Sequence, residues 1–224
     1  MNSDKNTPRL LGAAFLIVVF ASLTSGLLLS SAVGSGGISD MLLNISNKVT
    51  LLRTSILFEM LNSSAIVVLA VLLYTVLSKQ NKILALVALG WWLGEALILS
   101  LTNTGISALI PLSLDFVKAG APQHSFYQTL GEFLYYGVYQ HGYSGIHMWF
   151  YSIGGILWYY LFYRSKYIPR VISLWGLIAA CLSIVGVVFI FYGYDVPIFV
   201  FLPLLPFELT IGTWLMLKGI KDVQ

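Results

Sequence analysis

Charge is the scarcest property of this sequence. Asp, Glu, Lys and Arg make up 9% of its 224 residues, while 58% are hydrophobic. A soluble domain carries about 25% charged residues. One of this size has no interior able to hide such an apolar excess, which must then face lipid. Cysteine is nearly absent too. The single thiol, Cys181, lies within an apolar run, which excludes an internal disulfide and a cysteine-based metal site and leaves it a packing role. Basic residues are few and scattered, with a net charge of +3, so no basic patch invites nucleic acid. Neither an internal repeat nor a low-complexity tract divides the chain, and its length fits a single integral membrane domain over residues 1–224. Catalytic signatures are missing as well. There is no His-Glu-x-x-His, Gly-x-Ser-x-Gly, phosphate loop or Glu-x-x-His helix pair.

What is present is apolar sequence in six long stretches, roughly Leu10–Val33, Leu52–Leu77, Ile83–Leu101, Tyr139–Tyr163, Val171–Tyr192 and Pro197–Leu217. Each can cross a hydrocarbon core of about 30 Å at 1.5 Å per residue. None alternates with period two, so the expected fold is all-α, a polytopic helical bundle with about six transmembrane helices. Leu10–Val33 is longer than the core of a secretory signal and reads as a retained first helix. With the N-terminus inside, nine basic residues fall on the cytoplasmic side (Lys5, Arg9, Lys79, Lys82, Arg164, Lys166, Arg170, Lys218, Lys221) and three outside (Lys48, Arg53, Lys118). That asymmetry places both termini in the cytoplasm of a cell with an inner (plasma) membrane. Trp158, Tyr159, Phe162 and Trp214 are expected in an inner aromatic belt, and Tyr135, Tyr139 and Tyr192 in an outer one. Two further segments, Ile38–Ile56 and Phe126–Gly137, carry apolar residues at helical spacing and read as amphipathic helices at the outer interface.

Ionisable groups inside a bilayer cost about 2.5–3.5 kcal/mol each even on insertion scales, and they survive where they have partners and a purpose. Glu59, Glu95, His147 and Glu208 fall within spans, all in the outer half or near the midplane. The inner half has no acid or histidine, which suggests one polar cavity opening outward. Ser55, Glu59 and Asn62 make one polar stripe. Trp91 shares a face with Glu95, far from either interface, so Trp91 or Trp92 is expected to floor the cavity. His141 lies near the outer end of the fourth span and points about 120° away from His147. Pro203 and Pro206 are expected to kink the last span beside Glu208, a layout found where broken helices line binding sites. Glu59 and Glu208 are expected to approach each other. Three carboxylates and a histidine from four helices would also suit a divalent metal or a proton relay. The competing reading is that these groups are glue between helices.

Several short motifs carry a resemblance. Arg53 precedes Glu59 by six residues, His141-Gly142-Tyr143 opens the fourth span, and Tyr163-Arg164-Ser165-Lys166-Tyr167-Ile168-Pro169-Arg170 forms an inner loop. Phe207-Glu208-Leu209, Trp214-Leu215 and Lys218-Gly219 close the chain. The pattern resembles the bacterial membrane family labelled domain of unknown function 4386 along nearly the whole chain. The resemblance implies a bacterial multi-pass protein without naming a reaction, and picks out Arg53, Glu59, His141 and Glu208. The candidate ligand-binding set is therefore Arg53, Glu59, Trp91, Glu95, His141, His147 and Glu208. The expected partners are the lipid bilayer and a small molecule or lipid taken into the outward cavity, and no cofactor is assigned. A membrane-embedded enzyme acting on an apolar substrate and a non-catalytic structural or regulatory partner are the alternatives.

Overall fold

A computed structural model describes residues 3–220, and among these residues the chain is helical with no strand. Its α-helices are α1 (Ser3–Val33), α2 (Ile38–Asn47), α3 (Val49–Leu77), α4 (Lys82–Lys118), α5 (Phe126–Glu132), α6 (Met148–Ser165), α7 (Arg170–Phe191) and α8 (Leu204–Lys218). A π-helix, Phe133–His147, leads without a break into α6, and a 3-10 turn, Ile198–Val200, precedes α8. Five helical stretches are long and apolar enough to cross a membrane: Asn6–Val33, Val49–Leu77, Lys82–Lys118, Arg170–Phe191 and Ile198–Lys218. The π-helix and α6 make a further pass whose Tyr, Trp, Gly and Ser content lowers its hydropathy. Helices are the expected solution, because a bilayer offers backbone groups no water to bond.

The passes alternate in direction, so the start of α1 and the end of α8 lie at one end of the bundle. That end carries Arg9, Lys79, Lys82, Arg164, Lys166, Arg170 and Lys218. The opposite end carries Lys48, Arg53 and Lys118. The Lys5 side chain and Lys221 lie outside the described residues.

The second end is capped. α2 is closed at its start by Asp40, which accepts from the Gly37 N–H at 3.1 Å. It buries Met41, Leu42 and Ile45. These meet Ile106, Leu109 and Phe116 of α4 in a small separate core. α4 is longer than its apolar run suggests. Its 37 residues span about 55 Å against a hydrocarbon core of about 30 Å. The polar sequence after Leu101 does not end it, because Thr102 and Thr104 bond the carbonyls of Leu99 and Leu101 and Ser107 bonds that of Asn103. The amphipathic face of α2 is thus covered by protein rather than lipid. The amphipathic stretch Ile38–Ile56 divides at Lys48, and its last residues start α3. α5 stops at Glu132, leaving Phe126 and Phe133 exposed.

At the terminal end α1 and α8 approach backbone to backbone. A side chain added at Gly12 would strike the backbone of Gly212 and Met216. Small residues at such contacts let helices approach where lipid removes the hydrophobic drive to associate. Trp158, Tyr159 and Phe162, expected in an aromatic belt, are fully buried in the main core instead. Cys181, expected to pack, is exposed on α7.

The last pass is broken rather than kinked. The chain leaves α7 at Phe191 and re-enters an α-helix only at Leu204. Pro203 is the N-cap and Pro206 falls in the first turn. At those positions the missing N–H groups would have had no intrahelical acceptor, so the prolines start a helix instead of bending one. α8 therefore covers only the terminal half of α1 and leaves the other half facing a gap.

Candidate functional site

That gap is a cleft with two chambers. The deeper one, about 230 Å³, is bounded by α1, α3, α4, the π-helix, α6 and the start of α8. Most of its wall is apolar (Val18, Val19, Leu23, Ile66, Met148, Phe201, Leu204, Leu205). Its polar groups are Ser22, Asn62, Glu95, Tyr143, His147, Tyr151 and Glu208. The second chamber, about 480 Å³, lies between α1 and the π-helix toward the capped end and shares Tyr143 with the first.

Glu95 is 3% exposed, and its Oε1 lies 3.4 Å from His147 Nε2. The two can meet because α4 and the fourth pass approach closely at glycine. A side chain at Gly94 would overlap Phe150, and one at Gly154 would overlap Trp92. His147 Nδ1 lies 3.1 Å from the Tyr143 carbonyl. A carbonyl can only accept, so Nδ1 carries the hydrogen and Nε2 is left to face Glu95.

Glu208 sits one turn into α8 and accepts a hydrogen bond from the Tyr151 hydroxyl at 2.7 Å. Tyr151 has one proton to give, so the 3.3 Å contact between the Tyr151 and Tyr159 hydroxyls is donated by Tyr159. Tyr151 also stacks on Trp92 (5.9 Å, 12°), whose indole N–H bonds the Tyr151 carbonyl at 3.2 Å.

Two buried oxygens on this wall have no hydrogen-bond partner: Glu95 Oε2 and Asn62 Oδ1. The Asn62 amide is oriented by its neighbour, since its Nδ2 donates to Glu59 Oε1 at 2.9 Å. Buried oxygens are nearly always bonded, and each one left alone costs about 1–3 kcal/mol.

One regularity of the fourth pass runs through the site. Tyr135, Tyr139, Tyr143, His147 and Tyr151 recur every fourth residue, and their rings follow one another at 5.9, 5.6, 5.0 and 6.5 Å between centroids. They form a ladder from the capped end to Glu208. The spacing stands in the sequence, but the π-helical backbone beneath it is not visible in an apolar pattern. π-helical turns occur frequently at functional sites.

The structure thus brings Glu95, His147 and Glu208 to one cavity. Glu59 is buried behind the wall and bonded to Asn62. The acid that shares the chamber with Glu208 is therefore Glu95, where Glu59 was expected. Arg53 and His141 are not brought in. Arg53 is exposed on α3, and His141 is exposed with Nδ1 at 2.7 Å from the Tyr136 carbonyl. Trp91 turns to Phe150, and the tryptophan beneath the chamber is Trp92. Among the described residues, no group of three or more His, Cys, Asp or Glu is placed to hold a metal ion.

The family model described as "Domain of unknown function (DUF4386)" matches residues 10–219. The chain belongs to this family. The DUF4386 match includes both halves of the cleft, from α1 to the end of α8. No curated protein and no solved structure matches the chain.

Proposed function

We propose that this membrane protein binds a small amphiphile, neutral or cationic, in the cleft between α1, the π-helix and α8. The observation that carries the reading is the pair of unpartnered buried oxygens, Glu95 Oε2 and Asn62 Oδ1, on the wall of a mostly apolar chamber that also holds Glu208. An apolar wall with a few convergent polar groups is the usual make-up of a small-molecule site. Acids outnumber bases there, and no Lys or Arg is among the lining residues. The basic residues gathered at the terminal end support a plasma-membrane protein with both termini cytoplasmic, so that the cleft lies in the outer half. Binding followed by movement across the membrane is the natural extension of such a site.

The test is direct. The protein, extracted gently from its membrane and examined by native mass spectrometry, should carry a bound amphiphile that Glu208→Gln loses while remaining folded. A folded protein that carries none and binds none from a panel of amphiphiles would leave the structural-partner reading instead. Cysteines at Ser39, Gln123 and Lys166, with Cys181 replaced, test the orientation. An impermeant reagent should reach the first two from outside and the third only from inside.

A further inference from the structure

The Glu95–His147 contact has a definite proton count. With Nδ1–H given to the Tyr143 carbonyl, one proton fits between Nε2 and Oε1. On Nε2 it makes an imidazolium–carboxylate pair, and on Oε1 an imidazole–carboxylic acid pair. The net charge is zero either way. Removing that proton leaves the pair with a single negative charge on the buried Glu95 carboxylate, which is costly unless a cation replaces it.

The chamber offers the replacement a place. Glu95 Oε2 and Asn62 Oδ1 present acceptors without matching donors, and the Glu208 carboxylate, bonded through Oε1 to Tyr151, lines the same chamber. A primary ammonium has three donors in a compact head, and an alkyl tail suits the surrounding Val, Leu, Ile and Phe side chains. The other elements around the pair do not supply a rival cation. α1 contributes Val18, Val19 and Ser22, α3 brings Glu59 behind Asn62, the fourth pass brings Tyr143, Tyr151 and Tyr159, and α8 brings Glu208.

We infer that the cavity exchanges one proton for one organic cation, with a primary alkylammonium binding at Glu95 and Glu208 as the proton leaves the Glu95–His147 pair for water. The N–H or O–H bond of the pair breaks, the proton is released, and the ammonium N–H groups bond the carboxylate it leaves behind. This rests on the small-molecule reading above and goes past it, because binding alone requires no proton to move.

The experiment uses the full chain in lipid nanodiscs, with octylammonium and its neutral counterpart octanol as probes and protein-free discs as the blank. In weak buffer with a pH indicator, octylammonium should release one proton per molecule bound. Its affinity should rise about tenfold per pH unit, since linkage makes the pH slope equal to the protons exchanged. Octanol should bind without release. Octylammonium that binds with neither proton release nor a pH slope overturns the exchange and leaves the binding reading standing. If neither probe binds, both fall. Glu95→Gln should abolish the release, its fold checked by gel filtration. Should that variant not fold, the wild-type slope decides alone.

Discussion

The two halves of α1 face opposite conditions on the same helix. Near its start, Gly12 is pressed so closely by α8 that a side chain there would strike backbone. Four turns further on, Gly26 has nothing within 4 Å and looks into the larger chamber. The partner decides the difference: α8 begins at Leu204 and ends its cover of α1 there. Glycine thus serves close packing in one half and leaves room in the other. The half that is jammed holds α8 against α1, and the half that is open borders the candidate site.

The sharpest way to break this contrast is Gly12→Val. Overpacking costs about 1–3 kcal/mol and more where backbone is struck, so this variant should lose most of its folded yield. Gly26→Val should stay within about 0.5 kcal/mol of the parent, as for a site touching nothing. Thermal unfolding in detergent measures both, and equal losses would refute the contrast. Next, Glu95→Gln should weaken binding of an alkylammonium at least about tenfold, the 1.4 kcal/mol expected for losing a charge-assisted hydrogen bond. Binding isotherms at fixed pH read this directly. Gly26→Trp should then narrow the larger chamber and slow ligand association several-fold with stability unchanged. Stopped-flow binding checks it, and an unaltered rate would show that the ligand enters by another path. The smallest effect is expected from Tyr151→Phe. It removes the bond to Glu208, and interhelical hydrogen bonds in membranes average about 0.6 kcal/mol, so the melting temperature should fall only slightly.

The apolar runs announce the passes, and the basic residues announce which ends lie together. They do not give the length of α4, because Thr102, Asn103 and Thr104 look like a span's end, whereas the Thr102, Thr104 and Ser107 hydroxyls bond back to carbonyls of the same helix. Pro203 and Pro206 mark the place where the last pass fails, but not that the helix starts there instead of bending. For the site, Glu95, His147 and Glu208 are legible as ionisable groups at membrane depth. Trp91 and Trp92 differ by about 100° around one helix, so a one-residue choice decides which turns inward. Arg53 and His141 enter the candidate set through the resemblance, and a motif carries no information about which face its residues present. The π-helix was illegible for a backbone reason: a change of hydrogen-bond register leaves hydropathy untouched. The four-residue repeat of rings was there to be seen.

The seam between α1 and α8 also has a consequence in time. A chain is made from its N-terminus, so α1 enters the bilayer long before α8 exists. Its Gly12 face must wait, bare or borrowed by lipid, until α8 follows Pro203 out of the ribosome. Contacts between segments far apart in sequence close late because the loop between them must be ordered first. The α1–α8 seam therefore closes after the passes between them have been made, and the cleft acquires its lower wall only when α8 arrives.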